Sequence, residues 1–177
     1  VCIKRKIRNR LQDMGERIFV QSEERSDDGC KSLADRAKQN EAMQKALKEK
    51  DKDAYAKAAC ETWMDVRSFG QVFAFKDDSV SVGVRGPVSV HSAFSVLPIS
   101  IDSMQITKSV NSETKEKKSS DTMGMKHKIY SALYVIKGSI NHQLAEITGF
   151  NDEDAEKIKE ALRTLFVNDS SSERADG

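Results

Sequence analysis

Apolar residues recur at helical spacing near the start of the chain. They are separated by four, four and three positions and comprise Ile3, Ile7, Leu11 and Met14. This pattern predicts one buried face of an amphipathic helix. Gly15 follows the stripe and is suited to end the helix, because glycine readily adopts the left-handed conformation found at helix C-termini.

A second helix is predicted near the other end of the chain. Asn151 is a good N-terminal cap, and Asp154 lies three residues later, in the position of a capping box. The apolar face predicted for this helix comprises Ala155, Ile158, Ala161, Leu162, Leu165 and Phe166. Its exposed face is acidic, so we do not expect it to contact nucleic acid.

The middle of the chain predicts two strands that flank a long polar segment. Apolar and small or polar residues alternate over residues 88–96, as in a half-buried strand. Residues 129–136 are apolar on both alternating faces, as expected for a central strand. Between the two strands, residues 111–120 contain no apolar residue. Unstructured loops of more than ~12 to 15 residues are usually functional or disordered.

Charge is distributed unevenly along the chain. The 177 residues have a net charge of +1, yet residues 1–10 hold five bases and no acid. Residues 103–128 hold six lysines and three acids, whereas residues 151–177 hold eight acids and four bases. A cationic protrusion with a few apolar residues at its base is suited to binding a polyanion. The length fits one domain with a sizeable core.

The sequence of residues 32–63 predicts two helices, which are separated near residues 51–53. Their apolar stripe is thin and comprises Leu33, Ala37, Ala42, Met43, Ala46 and Leu47. A small projecting insertion with a solvated, charged surface is therefore expected. Trp63, Val66 and Phe69 are interpreted as packing this insertion against the rest of the domain, with stacking on a base as the alternative. Arg67 fits either a buried salt bridge or a contact with RNA.

The sequence indicates no metal site, cofactor or catalytic group. The cysteines are odd in number, lack metal-ligand spacing and lie at Cys2, Cys30 and Cys60. The histidines are scattered, outside any spacing typical of catalysis, at His91, His127 and His142. His91 lies on a predicted strand and is interpreted as structural. No apolar run approaches the ~18 residues of a membrane span, so a reduced, cytoplasmic protein is expected.

Six short motifs occur along the chain. They are residues 65–70 (DVRSFG), 84–88 (VRGPV), 93–96 (AFSV), 104–111 (MQITKSVN), 120–127 (SDTMGMKH) and 138–141 (GSIN). In this order they closely resemble motifs of the backbone subunit of type I CRISPR surveillance complexes, in particular the type I-C branch. The similarity extends over nearly the whole chain.

This resemblance implies an α+β fold of the RAMP superfamily. It implies one domain over residues 1–177, with a modified RRM or ferredoxin-like palm in which helices pack on an antiparallel sheet. A helical finger insertion is expected at residues 22–64 and a thumb β-hairpin at residues 102–128. Relatives carry further palm sequence on both sides of the matching region, so the chain resembles a fragment truncated at its N- and C-termini.

The resemblance also implies a binding protein that is not an enzyme. Copies polymerise along one CRISPR RNA, and each thumb wedges between nucleotides so that segments of the guide stay available for pairing. The implied partners are CRISPR RNA, target DNA through the guide, copies of the chain itself and other Cascade subunits. No cofactor, metal or membrane is implied.

The residues expected to bind RNA lie in three regions: the first helix, Arg67 and the predicted thumb. They are Lys4, Arg5, Arg8, Arg67, Met104, Ile106, Lys108, Lys126 and His127. The resemblance implies that Lys4, Arg5 and Arg8 contact the RNA backbone from the first palm helix. From the residues alone, a solvated basic face stays an equal alternative. For Met104 and Ile106, the alternative to wedging between bases is packing of the hairpin against the palm.

Two other functions stay open from the sequence. Ribonucleases occur among relatives with the same palm fold, and an Asp or His residue here is a possible catalytic group. The lack of a histidine pair or other catalytic motif argues against this function. With the resemblance set aside, the chain fits a generic module for binding single-stranded nucleic acid.

Overall fold

The computed structural model describes residues 2–75, 81–107 and 123–167. The chain divides into a larger unit, Val1–Val90 with Gly138–Gly177, and a smaller unit, His91–Lys137. Helices dominate the described part of the larger unit, and antiparallel strands supply the regular structure of the smaller one. This combination confirms the predicted α+β class.

The larger unit holds the helices and two pairs of strands. Its helices are α1 (Ile3–Asp13), α2 (Leu33–Lys38), α3 (Glu41–Glu49), α4 (Lys52–Thr62), α5 (Met64–Phe69), α6 (His142–Thr148) and α7 (Asp152–Arg163), with a 3₁₀ turn at Glu23–Arg25. Its strands are β1 (Gly70–Phe73), β2 (Val82–Arg85), β3 (Val88–Val90) and β8 (Gly138–Ile140). The antiparallel pairs are β1 with β2 and β3 with β8.

The smaller unit consists of two antiparallel pairs. Its strands are β4 (Phe94–Ser95), β5 (Asp102–Thr107), β6 (Met123–Lys128) and β7 (Tyr134–Val135). Strand β4 pairs with β7, and β5 pairs with β6 over six residue pairs from Asp102↔Lys128 to Thr107↔Met123. The limits predicted for the finger and the thumb, residues 22–64 and 102–128, stay predictions.

One hydrophobic cluster packs α2, α3, α4 and α5 against β1 and β2. Aromatic rings form its centre: Phe19 lies 4.7 Å from Trp63 and 5.2 Å from Phe73, between ring centroids. Trp63 and Val66 are both buried in this cluster. They therefore pack the helical segment onto the strands, as interpreted from the sequence, and are not available to stack on a base.

A second cluster packs α1 and α7 together with β3. Ile7 and Leu11 of the predicted stripe are fully buried there, with Ile3 and Met14 at its edge. Helix α1 ends as predicted, since Gly15 has a φ of +88° and the backbone N–H of Glu16 donates to Leu11. The sequence pattern thus located this helix correctly.

Helix α7 begins as predicted but buries less of its apolar face. Asn151 and Asp154 form a capping box, and Ile158 and Ala161 are buried. Leu162 and Phe166, which were predicted on the packed face, are exposed. The helix ends at Arg163, so residues beyond it no longer follow the helical period that placed Phe166 inward.

The segment predicted as two helices contains three. The break near residue 51 is present, because Lys50 is left-handed and the Asp51 side chain caps α4. A second break lies at Asn40, whose side chain accepts a hydrogen bond from Met43 N–H and begins α3. Ala42, predicted on the apolar stripe, is exposed.

The strand predictions in the middle of the chain were wrong in detail. Residues 88–96 do not form one strand: β3 and β4 are separated by residues 91–93. Val90 pairs with Gly138 and Phe94 with Val135, so the two ladders differ by one residue in register, which interrupts regular pairing.

The predicted central strand at residues 129–136 was also wrong. Only Tyr134–Val135 form a strand, and the large apolar side chains at residues 129–136 are exposed. A sheet of two strands cannot bury both of its faces, so an apolar run here does not indicate a central position.

Two glycines allow the backbone of β1 to approach that of β2. Gly70 has a φ of +77°, and a Cβ there would clash with the carbonyl oxygen of Val84. A Cβ at Gly86 would clash with Gly70 N and Ser68 O. Both glycines belong to motifs noted in the sequence, and close backbone packing explains their residue type.

Candidate nucleic-acid interface

Lys4 and Arg8 share one face of α1 and one aromatic partner. They lie four residues apart, on neighbouring turns. The Nζ atom of Lys4 and the Cζ atom of Arg8 each lie 5.5 Å from the centroid of the Phe69 ring. Such cation–π contacts contribute ~0.5 to 2 kcal/mol each, depending on exposure. One aromatic ring therefore contacts two cations from neighbouring turns of α1.

Asp65 fixes the second of these cations. Its Oδ2 atom accepts a hydrogen bond from Arg8 Nε at 2.9 Å. The same carboxylate accepts hydrogen bonds from the backbone N–H groups of Phe19 and Val20, at 2.7 and 3.1 Å. Sequence reasoning missed this role of Asp65 and Phe69. The available signal is that both pairs, Asp65 with Phe69 and Lys4 with Arg8, have a helical spacing of four.

The other bases of α1 have different surroundings. Arg5 is exposed. Lys6 is buried, with its Nζ atom 5.2 Å from the Phe166 ring centroid. Arg10 donates to the Thr164 hydroxyl and pairs with Asp13. Thus Lys6 and Arg10 lie against residues that follow α7 or pair within α1, whereas Lys4 and Arg8 share the Phe69 ring.

Arg67 forms a salt bridge with the buried carboxylate of Asp154. It donates to Asp154 twice, from Nε at 2.8 Å and from Nη2 at 2.7 Å. Glu16 lies 3.9 Å from the same guanidinium and also pairs with Lys157 at 2.7 Å. These hydrogen bonds raise the pKa of Arg67 above its ordinary value. The salt bridge considered from the sequence is therefore present, and an RNA contact by Arg67 stays a prediction.

The β5–β6 pair gathers three of the residues predicted in the thumb on one face. Met104 pairs directly with Lys126, and Ile106 pairs with Gly124. Directly paired and alternate residues share a face of an antiparallel pair, so Met104, Ile106 and Lys126 project together. Met104 and Ile106 are 47% and 48% exposed. The face thus presents these two apolar side chains together with two lysines, Lys126 and Lys128, the second of which pairs with Asp102.

His127 lies on the opposite face of this pair. It pairs with Ser103, and its Nδ1 atom lies 2.8 Å from the Ser103 hydroxyl oxygen. The structure therefore separates His127 from Met104, Ile106 and Lys126. Lys108, the remaining residue predicted to bind RNA, lies outside the described residues. RNA binding by each of these residues stays a prediction.

The smaller unit exposes more apolar surface than its hairpin alone. Large apolar side chains are exposed along β4, β7 and the adjoining residues, including Phe94, Leu97, Tyr130 and Leu133. Tyr130 donates a hydrogen bond to Asp102 at 3.1 Å, and Lys128 lies 4.8 Å from its ring centroid. Exposed apolar surface on this scale is typical of interaction sites. The sequence pattern instead placed most of these residues in a buried strand.

A polar pocket of about 660 Å³ lies beside the helical segment of the larger unit. Its Arg36 side chain is paired with Asp28 through Nε and Nη2 and donates to the carbonyl of Phe19 at 2.7 Å. The hydrogen bond from Arg36 holds the pKa of Asp28 well below its usual range. Three carboxylates and two guanidinium groups line this pocket, so it does not concentrate positive charge.

Asp65 is buried and His91 is exposed. Asp65 is 1% exposed, and both of its oxygens already accept hydrogen bonds. His91 lies one residue beyond β3 and is exposed, so its predicted place on a strand was wrong. Within residues 2–75, 81–107 and 123–167, no cluster of three metal-ligating side chains occurs. Nor does any helix there have the length and apolar character needed to cross a membrane.

Comparison with known proteins identifies a family. No curated protein matches the chain. A family model described as CRISPR-associated protein Cas7 matches residues 1–176. The match spans nearly the whole chain and includes both the α1 face and the β5–β6 pair. The chain therefore belongs to the CRISPR-associated protein Cas7 family, the RNA-binding backbone subunits of CRISPR antiviral defence, which have an RRM-like fold.

Proposed function

We propose that this chain coats the guide RNA as the backbone subunit of a type I Cascade complex of the type I-C kind. Copies of the chain bind one CRISPR RNA side by side, and the guide between their contacts pairs with target DNA. Other Cascade subunits complete the complex, which acts in the cytoplasm. The chain binds RNA and does not cleave it. The family match carries this proposal, and two surfaces support it.

The first supporting surface is the pair of cations on α1. Lys4 and Arg8 lie on neighbouring turns of α1, and each lies 5.5 Å from the centroid of the Phe69 ring. The ion pair with Asp65 uses Nε of Arg8, and among the described residues neither Nη nitrogen makes a hydrogen bond. A guanidinium with two such nitrogens suits bidentate contact with a phosphate. Contacts of this kind bind RNA of any sequence.

The second supporting surface is the face of the β5–β6 pair. Met104 and Ile106 are half exposed and lie beside Lys126. Apolar side chains next to a cation are suited to insertion between bases while the ammonium group meets the backbone. This arrangement favours the wedge predicted for the thumb over burial of both side chains within the unit.

Binding to labelled CRISPR RNA of increasing length tests the proposal. A coating subunit gives a regular ladder of complexes whose number rises stepwise with RNA length, and the RNA stays intact with Mg²⁺ present. A generic single-strand binder gives one weak shift without regular steps. RNA cleavage that is lost on replacing one Asp or His residue, such as the exposed His91, would instead support the ribonuclease alternative.

A further inference from the structure

We infer that Asp65 and Phe69 are positioning residues, which hold Lys4 and Arg8 in the arrangement that meets the RNA backbone. This inference rests on the proposed function, since it assigns these two cations to RNA. It assigns Asp65 and Phe69 a role that acts through the two cations, and it follows from the contacts of these two α5 residues with α1.

Asp65 is held in place before it acts on Arg8. Its Oδ1 atom accepts from Phe19 N–H at 2.7 Å, and its Oδ2 atom accepts from Val20 N–H at 3.1 Å. A carboxylate with two backbone donors and almost no exposure has one orientation. It therefore fixes the position of Arg8 Nε, and with it the plane of the guanidinium.

Phe69 contacts both cations. Lys4 and Arg8 are like charges on neighbouring turns, an arrangement that is unfavourable on an isolated helix. The Phe69 ring lies 5.5 Å from each charged group, and its negative face attracts both. The adjacent Asp65 charge further reduces the repulsion. Together the two residues stabilise a close pair of cations that α1 alone does not favour.

Preorganisation is the expected benefit for RNA binding. Lys and Arg side chains lose much rotamer freedom when they are immobilised on a ligand. If these side chains are already held in position before RNA binds, part of this entropic cost is removed. Binding is then stronger, although the number of phosphate contacts is unchanged. Loss of the support should thus weaken affinity while the salt dependence, which counts those contacts, stays the same.

A merely structural role for Phe69 is the competing explanation. The ring is half buried and packs at the edge of the second hydrophobic cluster. In that case its replacement affects stability, and affects RNA binding equally whether or not Lys4 and Arg8 are present. The two explanations therefore differ in the coupling between Phe69 and the cations.

Arg8→Lys is the first test, because it retains the charge and leaves the core untouched. A single ammonium group cannot bind Asp65 and also present two further nitrogens to a phosphate. We expect RNA affinity to fall by about three- to tenfold, with the slope of log affinity against log salt unchanged. Binding equal to wild type would overturn the inference, since charge alone would then suffice.

Phe69→Leu provides the second test, in wild type and in a Lys4→Ala, Arg8→Ala background. We expect at least about threefold weaker RNA binding in wild type and no further loss in the second background. Phe69→Tyr retains the ring and is the control, with binding like wild type. Equal weakening in both backgrounds would show that Phe69 acts through the fold, and would overturn the positioning role.

The tests separate failure of this inference from failure of the proposed function. If Lys4→Ala with Arg8→Ala changes neither RNA affinity nor its salt slope, these cations do not bind RNA and both proposals for this face are wrong. If that variant weakens binding while Arg8→Lys and Phe69→Leu bind like wild type, only the positioning role is wrong.

Discussion

Replacing Arg67 with Ala removes the centre of an ion-pair network between α5 and α7. Arg67 donates two hydrogen bonds to Asp154, at 2.8 and 2.7 Å, and lies 3.9 Å from Glu16. The Asp154 side chain is only 3% exposed. In the variant, this carboxylate therefore loses its counter-ion without gaining access to water.

The structure sets the size of the expected loss. Hydrogen bonds to charged groups contribute ~1.5 to 3 kcal/mol each, and breaking a buried ion pair typically costs ~3 to 5 kcal/mol. Arg67 is 18% exposed, and Asp154 keeps a hydrogen bond from Asn151 N–H, so the cost should be lower. We expect a loss of ~2 to 4 kcal/mol in the free energy of unfolding, which lowers Tm by roughly 4 to 16 °C in a protein of this size.

Thermal and urea unfolding measure this loss, with Arg163→Ala as the matched control. Arg163 is 80% exposed and pairs with Glu160 on the same helix at 3.2 Å, so its removal should change stability by less than ~0.5 kcal/mol. The folded fraction of Arg67→Ala should keep the RNA salt slope of wild type. A Tm within ~1 °C of wild type, with a slope lower by about one unit, would show that Arg67 serves RNA and not the fold.

Three further predictions concern RNA and pH. Changing Lys4 and Arg8 to Ala should weaken binding about equally for all RNA sequences and lower the salt slope by ~1 to 2 units, measured by titration at several salt concentrations; a sequence-dependent loss contradicts this. Changing Met104 and Ile106 to Ser should weaken cooperative coating of a long guide but lower stability by less than ~1 kcal/mol, since both are half exposed; a large fall in Tm with coating spared would identify them as packing residues. For Asp28, a depressed pKa in the folded state means stability that is present above its ordinary pKa of 3.8 and lost as pH falls below it. The stability difference between wild type and Asp28→Asn should thus be constant above pH ~5 and shrink below pH ~4, in urea unfolding at a series of pH values.

Elements with strong local signals could be predicted from the sequence. The α1 stripe and the Asn151 capping box each depend on residues within one or two turns, and both are present as predicted. The break at Asn40 was missed although its side chain caps α3, because a single Asn is favoured at a cap but is also tolerated within a helix. The residues around Asn40 are compatible with a helix cap there but do not require one.

Interactions between distant residues could not be predicted. Arg8 and Asp65 are 57 residues apart, and Arg67 and Asp154 are 87 residues apart. The register change between β3 and β4 likewise depends on partner strands that lie about 40 to 50 residues further along the chain. A single sequence shows the hydrophobic period of each segment but not the partner that covers it, which is why an exposed run was interpreted as a central strand.

The bases of α1 show why a count of local charge does not define an RNA site. Judged by local charge alone, the five bases of α1 are equivalent, since residues 1–10 contain no acid. The fold divides them by partner: Lys6 and Arg10 lie against residues that follow α7, whereas Lys4 and Arg8 lie over Phe69. Of Lys4 and Arg8, only Arg8 pairs with Asp65, through its Nε atom. Among the described residues, neither Nη nitrogen of Arg8 makes a hydrogen bond to protein. A surface that concentrates positive charge and only partly neutralises it still attracts phosphate, and partial neutralisation also lowers the cost of holding like charges together. The distinguishing feature of the proposed RNA site is therefore the incomplete pairing of its cations.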